Sequence, residues 1–503
     1  MRARIMKTVK LAALLGLMLA PAKAAEDGPG RPNVVLMIAD DMAWDDSGAF
    51  GNPKIRTPNI DRLAREGLRF DRAFITASSC SPSRSSLITG RYPHETDAEE
   101  LHWPLPPGQI TFVEKLKAAG YWTAAAGKWH LGNAVKNRFD LVRDANAAGF
   151  QLATGKGARA SMTAEGSSAA QAGCDQWVPV LRDRPKDRPF FLWLAAFDPH
   201  RDYQPGTIAR PHRPEEVVVP PYLPDTPEVR ADLALYYDEI ARLDRHVGEV
   251  LAELDRQGVA GNTLVLFLSD NGRPFPRCKT TLYDSGIRTP LIARWPGRIG
   301  PGGRTSSLVS TVDLAPTILG LAGIEPGPTI QGKDIAPIFK DPKAKVRDLI
   351  FAERNWHDFA SHGRAARSER LKYIRNDDAD RPLTPPADAV RSPTFLAMRR
   401  LRDEGKLTPI QRACFTSPRP AEELYDLDAD PNETVNLAGD PKHADDLARM
   451  RQALVVWTRQ TADVLPEKLS PDEFDRETGD PLPNRARPRP AKSTARSTAS
   501  PRP

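Results

Sequence analysis

The sequence predicts an α/β fold in which a largely parallel central sheet is flanked by helices. Three short and continuously apolar runs, residues 33–39, 190–197 and 264–268, are typical of strands buried on both faces. Helical segments separate these runs, and strands that alternate with helices favour a parallel sheet. With 503 residues, the chain is long enough for this domain and a smaller second one.

The predicted helices have recognisable ends. Thr57 and Thr226 each stand before a proline, and threonine is a good N-cap while proline fits the first helical position. In the second of these helices, apolar residues recur every three or four positions over residues 236–254. A further helix is predicted over residues 111–119, directly before a glycine that can end it.

Beyond residue 345 the apolar runs become shorter. The short strands and the terminal helix predicted there indicate a smaller α+β domain. The strands are expected at 349–352, 371–374 and 423–427, the helix at 437–458, and a loop rich in Pro, Asp and Arg at 377–392. The predicted organisation is a main domain over 25–345, a smaller domain over 346–477, and a disordered Pro/Arg-rich tail over 478–503.

Residues 1–24 have the pattern of a cleavable secretory signal peptide. Basic residues precede an apolar run over residues 11–20, which is too short to cross a bilayer, and Ala22-Lys23-Ala24 has the small-x-small pattern of a cleavage site. We therefore expect an exported protein, secreted or periplasmic. No later run reaches about 18 uninterrupted apolar residues, so stable membrane insertion is not expected.

The positive charge of the chain lies at its two ends. The formal net charge is +6, of which residues 1–24 contribute five positive charges and residues 485–503 contribute six, which leaves −5 for the body. A mildly acidic body argues against a nucleic-acid-binding surface.

The chain has four cysteines, and export would allow them to form two disulfides. Their spacing does not require this pairing, and no CxxC or Cys/His metal pattern is present. The cysteines are Cys80, Cys174, Cys278 and Cys414.

Polar residues follow each of the three apolar strands. Asp40-Asp41 follow the first strand, His200 the second and Asp270-Asn271 the third. The carboxyl ends of parallel strands meet at one edge of a sheet, where two acidic pairs would repel each other unless a cation lay between them. Carboxylate and amide oxygens suit Ca²⁺ or Mg²⁺ better than zinc. Each pair taken alone could instead cap a helix or a turn.

A second cluster begins at Cys80. Residues 80–91, CSPSRSSLITGR, predict a short helix with Cys80 at its amino end and Arg84 one turn further on. Free backbone N–H groups and the helix dipole favour an anion there, and they would lower the pKa of a cysteine thiol. A small buried thiol beneath a helix cap is the alternative.

The same twelve residues resemble the signature of the type I sulfatases, a family in which the cysteine of Cys-x-Pro-x-Arg is oxidised to formylglycine. Other landmarks of that family follow in the family's order: Asp40-Asp41, 127–130 (GKWH), 198–200 (DPH), 269–272 (SDNG) with Lys279, and 423–427 (ELYDL). The resemblance implies an alkaline-phosphatase-like fold with a smaller C-terminal domain, one calcium ion, and a formylglycine-generating enzyme as maturation partner.

The resemblance also implies a role for each matching residue. The calcium ligands would be Asp40, Asp41, Asp270, Asn271 and the modified Cys80. Arg84, Lys128 and Lys279 would neutralise charge on sulfate or on the hydrated aldehyde, His130 would steady that hydrate, and His200 would protonate the leaving group. One hydroxyl of the hydrate would attack sulfur, and the other would later expel sulfate by re-forming the carbonyl.

Several stretches look more similar to the sulfamidases, which cleave the N-sulfate of glucosamine, than to the arylsulfatases. They are 188–201, 220–235, 271–283 and 392–395. The similarity departs over 91–107, where His102 is a candidate substrate-binding residue, and at Lys279, where arginine is expected. The sequence therefore leaves open an O-sulfate ester on another polysaccharide.

Two other functions remain open at this point. A phosphatase or phosphodiesterase of the same superfamily would need a Thr or Ser nucleophile and usually two zinc ions with His-rich ligands. A glycan-binding protein without turnover would result if Cys80 stayed unmodified.

Overall fold

The computed structural model describes residues 30–145 and 172–483. The predicted signal peptide, 1–24, and residues 484–503 of the predicted tail lie outside the described residues. From Arg31 onward the chain belongs to one unit. None of the described helices is both long and apolar enough to span a membrane.

The strands of the described chain fall into a large sheet, a two-stranded pair and a C-terminal sheet. They are β1 (Asn33–Ala39), β2 (Leu68–Phe70), β3 (Ala73–Phe74), β4 (Trp122–Gly127), β5 (Leu141–Asp144), β6 (Phe190–Ala195), β7 (Thr263–Ser269), β8 (Leu291–Arg294), β9 (Gly303–Thr305), β10 (Val309–Ser310), β11 (Ile350–Arg354), β12 (Gly363–Arg367), β13 (Leu371–Asn376) and β14 (Glu422–Asp426).

The helices cover the sheets. They are α1 (Pro58–Arg65), α2 (Cys80–Thr89), α3 (Phe112–Ala118), α4 (Trp177–Asp183), α5 (Pro227–Arg256), α6 (Asp284–Ile287), α7 (Leu314–Leu321), α8 (Ala336–Lys340), α9 (Ala387–Val390), α10 (Pro393–Asp403), α11 (Pro409–Arg412) and α12 (Ala444–Gln460).

The central sheet has the strand order β5-β4-β6-β1-β7-β8-β2-β9. The first five of these strands run parallel to their neighbours, which confirms the predicted α/β architecture. β8 pairs antiparallel with β7 and with β2. β1, β6 and β7 are buried along their whole length, which explains why they are continuously apolar in sequence.

α1, α3 and α5 begin directly after their predicted threonines, but the Thr57 side chain does not cap α1 and accepts a hydrogen bond from the Gly48 backbone N–H instead. The Thr111 side chain accepts a hydrogen bond from the Glu114 backbone N–H, and the Thr226 side chain accepts one from Val229. α5 then runs for 30 residues and buries its apolar stripe against the sheet in one large hydrophobic cluster.

The C-terminal sheet is antiparallel, in the order β11-β12-β13-β14, and α12 packs on it. The helix predicted over 437–458 begins later, at Ala444, so that prediction is wrong for its first turns. Leu437 donates its backbone N–H to the carbonyl of Leu424 in β14, which holds this segment against the sheet instead. The loop predicted over 377–392 contains the short helix α9.

Candidate active site

The parallel register brings the carboxyl ends of four strands to one edge of the central sheet. Ala39 at the end of β1 pairs with Ser269 at the end of β7, while the last residues of β4 and β6, Gly127 and Ala195, pair with each other. The polar residues that follow these strands therefore meet in one cleft, as the sequence predicted. They are Asp40, Asp41, Lys128, His200, Asp270 and Asn271.

Cys80 is the first residue of α2, and every residue of this helix is buried. Its Sγ lies 3.6 Å from Asp40 Oδ1, 4.0 Å from Asp41 Oδ1 and 3.4 Å from Asn271 Nδ2. The side chain of Cys80 therefore lies close to residues of both polar pairs, Asp40-Asp41 and Asp270-Asn271, as the sequence predicted.

The chemistry of the Cys80 thiol differs from the sequence-based expectation. Burial raises the pKa of this thiol to about 12, and Lys128 and Lys279 only partly oppose the rise. The expectation of a lowered pKa at the helix amino end is therefore wrong, because burial outweighs the positive surroundings. An unmodified thiol here is a poor nucleophile at neutral pH.

Three buried cations pair with the carboxylates of the cleft. Arg84 Nε donates to Asp270 Oδ2 at 2.7 Å, and its Nη2 lies 2.6 Å from the same oxygen. Lys128 Nζ donates to Asp40 Oδ2. Lys279 Nζ donates to Asp41 Oδ2 at 2.7 Å, so this lysine lies in the cleft and is not a surface charge.

These pairs act on the carboxylates in different ways. Burial alone would raise the pKa of Asp40, but the nearby Lys128, His200 and Arg84 outweigh it and hold the pKa below its usual range. Burial raises the pKa of Asp270 to about 6, although Arg84 opposes the rise. A cation bound between the two carboxyl groups would favour the ionised form of both.

The residues at the centre of the cleft fit a hard cation. The ligand atoms of Asp40, Asp41 and Cys80 lie within 4.8 Å of one another. Asn271 Oδ1 is buried and has no hydrogen-bond partner among the described residues, while its Nδ2 lies 2.7 Å from Asp41 Oδ1 and 2.8 Å from Asp270 Oδ1. Carboxylate oxygens with an unpaired amide oxygen are the donor set that Ca²⁺ prefers.

Histidines form the more exposed part of the cleft. His200 Nε2 lies 3.8 Å from Asp41 Oδ2, and its Nδ1 lies 2.5 Å from the Arg201 carbonyl oxygen. His130 Nε2 lies 2.8 Å from Nδ1 of the exposed His102, while His130 Nδ1 is buried and has no partner in the described part of the chain. Burial, together with Lys128 and His102, lowers the pKa of His130.

Sequence reasoning missed two residues that the C-terminal part of the chain brings to the cleft. His357, which follows β11, places Nδ1 2.7 Å from the hydroxyl of Ser79, the residue before Cys80. Asp388 in α9 places Oδ2 3.9 Å from His200 Nε2. No local pattern marks either residue, because both contacts depend on how the C-terminal part packs on the main sheet.

The four cysteines are free and buried, so the two disulfides that export would have allowed are not formed in the structure. Cys174 and Cys278 lie in the large hydrophobic cluster beneath the central sheet. They behave there as small apolar side chains.

Two family descriptions match the chain. Residues 32–324 match the family described as sulfatase, and residues 277–378 match the one described as N-sulphoglucosamine sulphohydrolase, C-terminal. The first match covers the strand ends and α2, and the second covers the segment from Arg277 to β13.

Curated relatives and solved structures agree with these matches. Human N-sulphoglucosamine sulphohydrolase is 32% identical over 498 residues, which is 88% of this chain and 94% of the relative. An ulvan-active sulfatase from Formosa agariphila is 30% identical and covers 86% of this chain and 76% of the relative. A solved protein in complex with its substrate D-glucosamine-2-N,6-O-disulfate has a TM-score of 0.64 at 21% identity, with 87% of this chain and 99% of that one covered, which shows a shared fold. The chain therefore belongs to the sulfatase family and is a hydrolase of sulfate esters or sulfamates.

Proposed function

We propose that this protein is an exported sulfatase that hydrolyses the N-sulfate of glucosamine in a sulfated sugar or glycosaminoglycan. The observation that carries the sulfatase chemistry is the meeting of Cys80 with the buried carboxylates and cations of the cleft. The preference for an N-sulfate is supported by the C-terminal family match over 277–378 and by the human relative, which aligns over nearly its whole length.

Asp40, Asp41, Asp270 and Asn271 would hold one calcium ion together with an oxygen of residue 80. When bound, calcium lowers the pKa of a hydroxyl and polarises sulfate oxygens. Cys80 would first be converted to formylglycine, whose hydrate supplies one hydroxyl for attack on sulfur and a second for release of sulfate. An unmodified thiol with this raised pKa would be a weak nucleophile, which makes the hydrate the better attacking group.

The other side chains of the cleft would bind the sulfuryl group and move one proton. Lys128 and Lys279 would neutralise sulfuryl oxygens, and Arg84 would keep Asp270 in place. His130 would hold a hydroxyl of the modified residue 80 through Nδ1, which has no hydrogen-bond partner among the described residues. His102 would contact the substrate at the exposed side of His130.

His200 would protonate the leaving group. Its Nδ1 donates to the Arg201 carbonyl, so Nε2 is the nitrogen left to face the cleft, and it would carry a second proton only in the imidazolium form, which is the form that would act as the acid. When the S–N bond breaks, its electron pair goes to nitrogen, which takes the proton from Nε2. The free amine would leave in this first step, and the sulfuryl group would stay on residue 80 until the second hydroxyl expels it as sulfate.

Hydrolysis of an O-sulfate ester is the second candidate function. It is favoured by the ulvan-active sulfatase, which is 30% identical, and by Lys279 at a position where a sulfamidase would carry arginine. A phosphatase or phosphodiesterase is less favoured, because the cluster of metal-ligating atoms in the described chain consists of Asp40, Asp41 and Cys80 without histidine.

Maturation would require a formylglycine-generating enzyme before or during export. The signal pattern in residues 1–24 supports secretion or delivery to a periplasm. The mildly acidic body argues against a nucleic-acid-binding surface and does not itself select a sugar.

The test compares sulfate release from matched sugars. Protein produced together with a formylglycine-generating enzyme is incubated with N-sulfoglucosamine, glucosamine 6-O-sulfate and an O-sulfated disaccharide, and free sulfate is measured by ion chromatography. We expect the highest kcat/KM for N-sulfoglucosamine. Release from the O-sulfated sugars alone would favour the second candidate, and no release from any sugar by protein carrying the aldehyde would favour a glycan-binding protein.

A further inference from the structure

Asp388 is an acidic residue at a site built to attract an anion. It lies in α9, which comes from the C-terminal part of the chain, and its Oδ2 is 3.9 Å from His200 Nε2. Its side chain is 19% exposed, so it is not fully enclosed by the protein. Burial alone would raise the pKa of Asp388, but Lys279, His200 and Arg201 outweigh it and lower the pKa, so the group is a carboxylate at neutral pH.

The carboxylate is held in a defined orientation. Its Oδ1 accepts a hydrogen bond from the Ala389 backbone N–H at 2.6 Å, while Asp358 Oδ2 accepts one from the Ala387 N–H at 2.9 Å. These bonds fix the first turn of α9, and they leave Oδ2 of Asp388 on the side of His200.

The neighbouring helix is tied to the His200 loop as well. Thr394 in α10 donates to Asp232 Oδ2 at 2.6 Å, and Arg201 donates to both oxygens of Asp232 at 2.9 and 2.7 Å. Because Arg201 directly follows His200, the C-terminal segment and the His200 loop are joined through buried charges. These bonds hold the segment that carries Asp388 and the loop that carries His200 in place. The distance between the two side chains is therefore fixed by the surrounding packing.

The position of Asp388 relative to the buried cations indicates whether it would contact the sulfuryl group or the leaving group of a substrate. Lys128, Lys279 and Arg84 lie on the buried side of the cleft, where sulfuryl oxygens would bind. Asp388 interacts with Lys279 and lies 3.9 Å from His200 Nε2, and because a carboxylate would repel sulfuryl oxygens, its place fits the leaving-group side of the scissile bond better than the sulfuryl side. His200, which is assigned to protonate the leaving atom, lies next to it.

A sulfamate differs from a sulfate ester at that leaving atom. The bridging nitrogen of a sulfamate carries a hydrogen, whereas the bridging oxygen of an ester carries none. An ionised carboxylate only accepts hydrogen bonds, so it can distinguish the two. We propose that Asp388 is a specificity-determining residue that accepts a hydrogen bond from the sulfamate N–H of N-sulfoglucosamine. This inference rests on the proposed N-sulfate activity.

The test measures kcat/KM of the formylglycine-bearing enzyme and of two variants on two substrates. The variants are Asp388→Ala and the isosteric Asp388→Asn, and the substrates are N-sulfoglucosamine and 4-nitrophenyl sulfate, an ester without a bridging N–H. A hydrogen bond to a charged group is worth about 10- to 100-fold in rate. We expect Asp388→Ala to lose about that factor on N-sulfoglucosamine and less than about 3-fold on the ester, with a smaller selective loss for Asp388→Asn.

The matched control is Asp380→Asn, an exposed aspartate of the same segment whose side chain is 72% exposed. It should leave both activities unchanged. An equal loss on both substrates in the Asp388 variants would overturn the inference in favour of a structural role, and so would full activity of both variants on N-sulfoglucosamine. If the unaltered enzyme cleaves 4-nitrophenyl sulfate but not N-sulfoglucosamine, the N-sulfate function fails first, and the role of Asp388 fails with it.

Discussion

At the scale of single residues, the surroundings of Cys80 disfavour an unmodified thiolate as the nucleophile. A thiol with a pKa of about 12 is ionised to only about one part in 10⁴ at pH 8. Burial is the main cause of this pKa, and Asp40 and Asp41 beside the sulfur contribute to it. The same surroundings suit an oxygen at residue 80, because carboxylates and an oxygen can share one hard cation.

Replacing Cys80 with alanine should abolish turnover and leave the fold intact. Alanine cannot be converted to formylglycine, so we expect sulfate release to fall by at least about 10³-fold. The loss of one buried sulfur should lower the free energy of unfolding by only about 1 kcal/mol. The measurements are sulfate release and thermal unfolding of both proteins.

Cys80→Ser is the matched control for this prediction. Its hydroxyl can attack sulfur but cannot expel sulfate, so the variant should retain one sulfuryl group, which intact-mass analysis detects. An active Cys80→Ala variant would rule out residue 80 as the nucleophile.

The residues of the site differ in how well the sequence predicted them. Four of them directly follow long buried strands: Asp40, Asp41, Asp270 and Asn271. The carboxyl ends of parallel strands lie at the same edge of a sheet, so their proximity could be predicted. His357 and Asp388 lie in the C-terminal part and reach the cleft only through long-range packing, which leaves no periodic or motif signal.

At the scale of elements, long buried strands and capped helices were predictable and short elements were not. β1 begins and ends where its apolar run does, and α5 starts at the predicted cap. β2 and β8 have three and four residues, too few to show a period, and their pairing depends on the finished sheet. α12 starts later than predicted for a similar reason. Leu437, which precedes it, donates its backbone N–H to the Leu424 carbonyl in β14, and this bond holds the segment against the sheet.

His94 joins the turn that follows α2 to the C-terminal sheet. Its Nδ1 lies 2.6 Å from Glu353 Oε1 in β11, and its Nε2 lies 3.2 Å from the carbonyl oxygen of Thr461, just after α12. When the ring is protonated, one nitrogen donates to the carboxylate and the other to the carbonyl oxygen. Burial alone would lower the pKa of His94, but Glu353 outweighs it and raises the pKa above 6.5.

This histidine should make stability depend on pH. Because its pKa is raised in the folded state, its contribution is full below about pH 6.5 and is lost as the pH rises through the folded-state pKa. At pH 6, His94→Gln should lower the free energy of unfolding by about 1 to 3 kcal/mol. Urea unfolding of both proteins between pH 5.5 and about 9 measures the difference, which should shrink as the pH rises. A difference that stays constant or grows would contradict this role.

At the scale of the whole molecule, the cleft is built from both parts of the chain. The strand ends of the central sheet supply the charged floor, and the C-terminal part supplies His357 and Asp388. The predicted boundary near residue 345 stays a prediction. Whatever its position, the two parts must remain together for the cleft to be complete.

Calcium should stabilise the whole fold, because it would bind buried carboxylates that exist as a cluster only in the folded state. At a calcium concentration one hundred times its dissociation constant, the expected gain is about 2.7 kcal/mol. Thermal unfolding in calcium and in a chelator measures it, with Asn271→Ala as the site variant that should gain less. Equal midpoints with calcium and with the chelator would contradict the assignment of the four residues.

The central claim is that residue 80 acts as an oxygen nucleophile formed from cysteine. Mass spectrometry of the peptide that contains residue 80, taken from protein of known specific activity, tests it most directly. We expect an aldehyde at this residue, in a fraction that rises in proportion to sulfate release across preparations. Full sulfate release by protein in which Cys80 is still a thiol would contradict it.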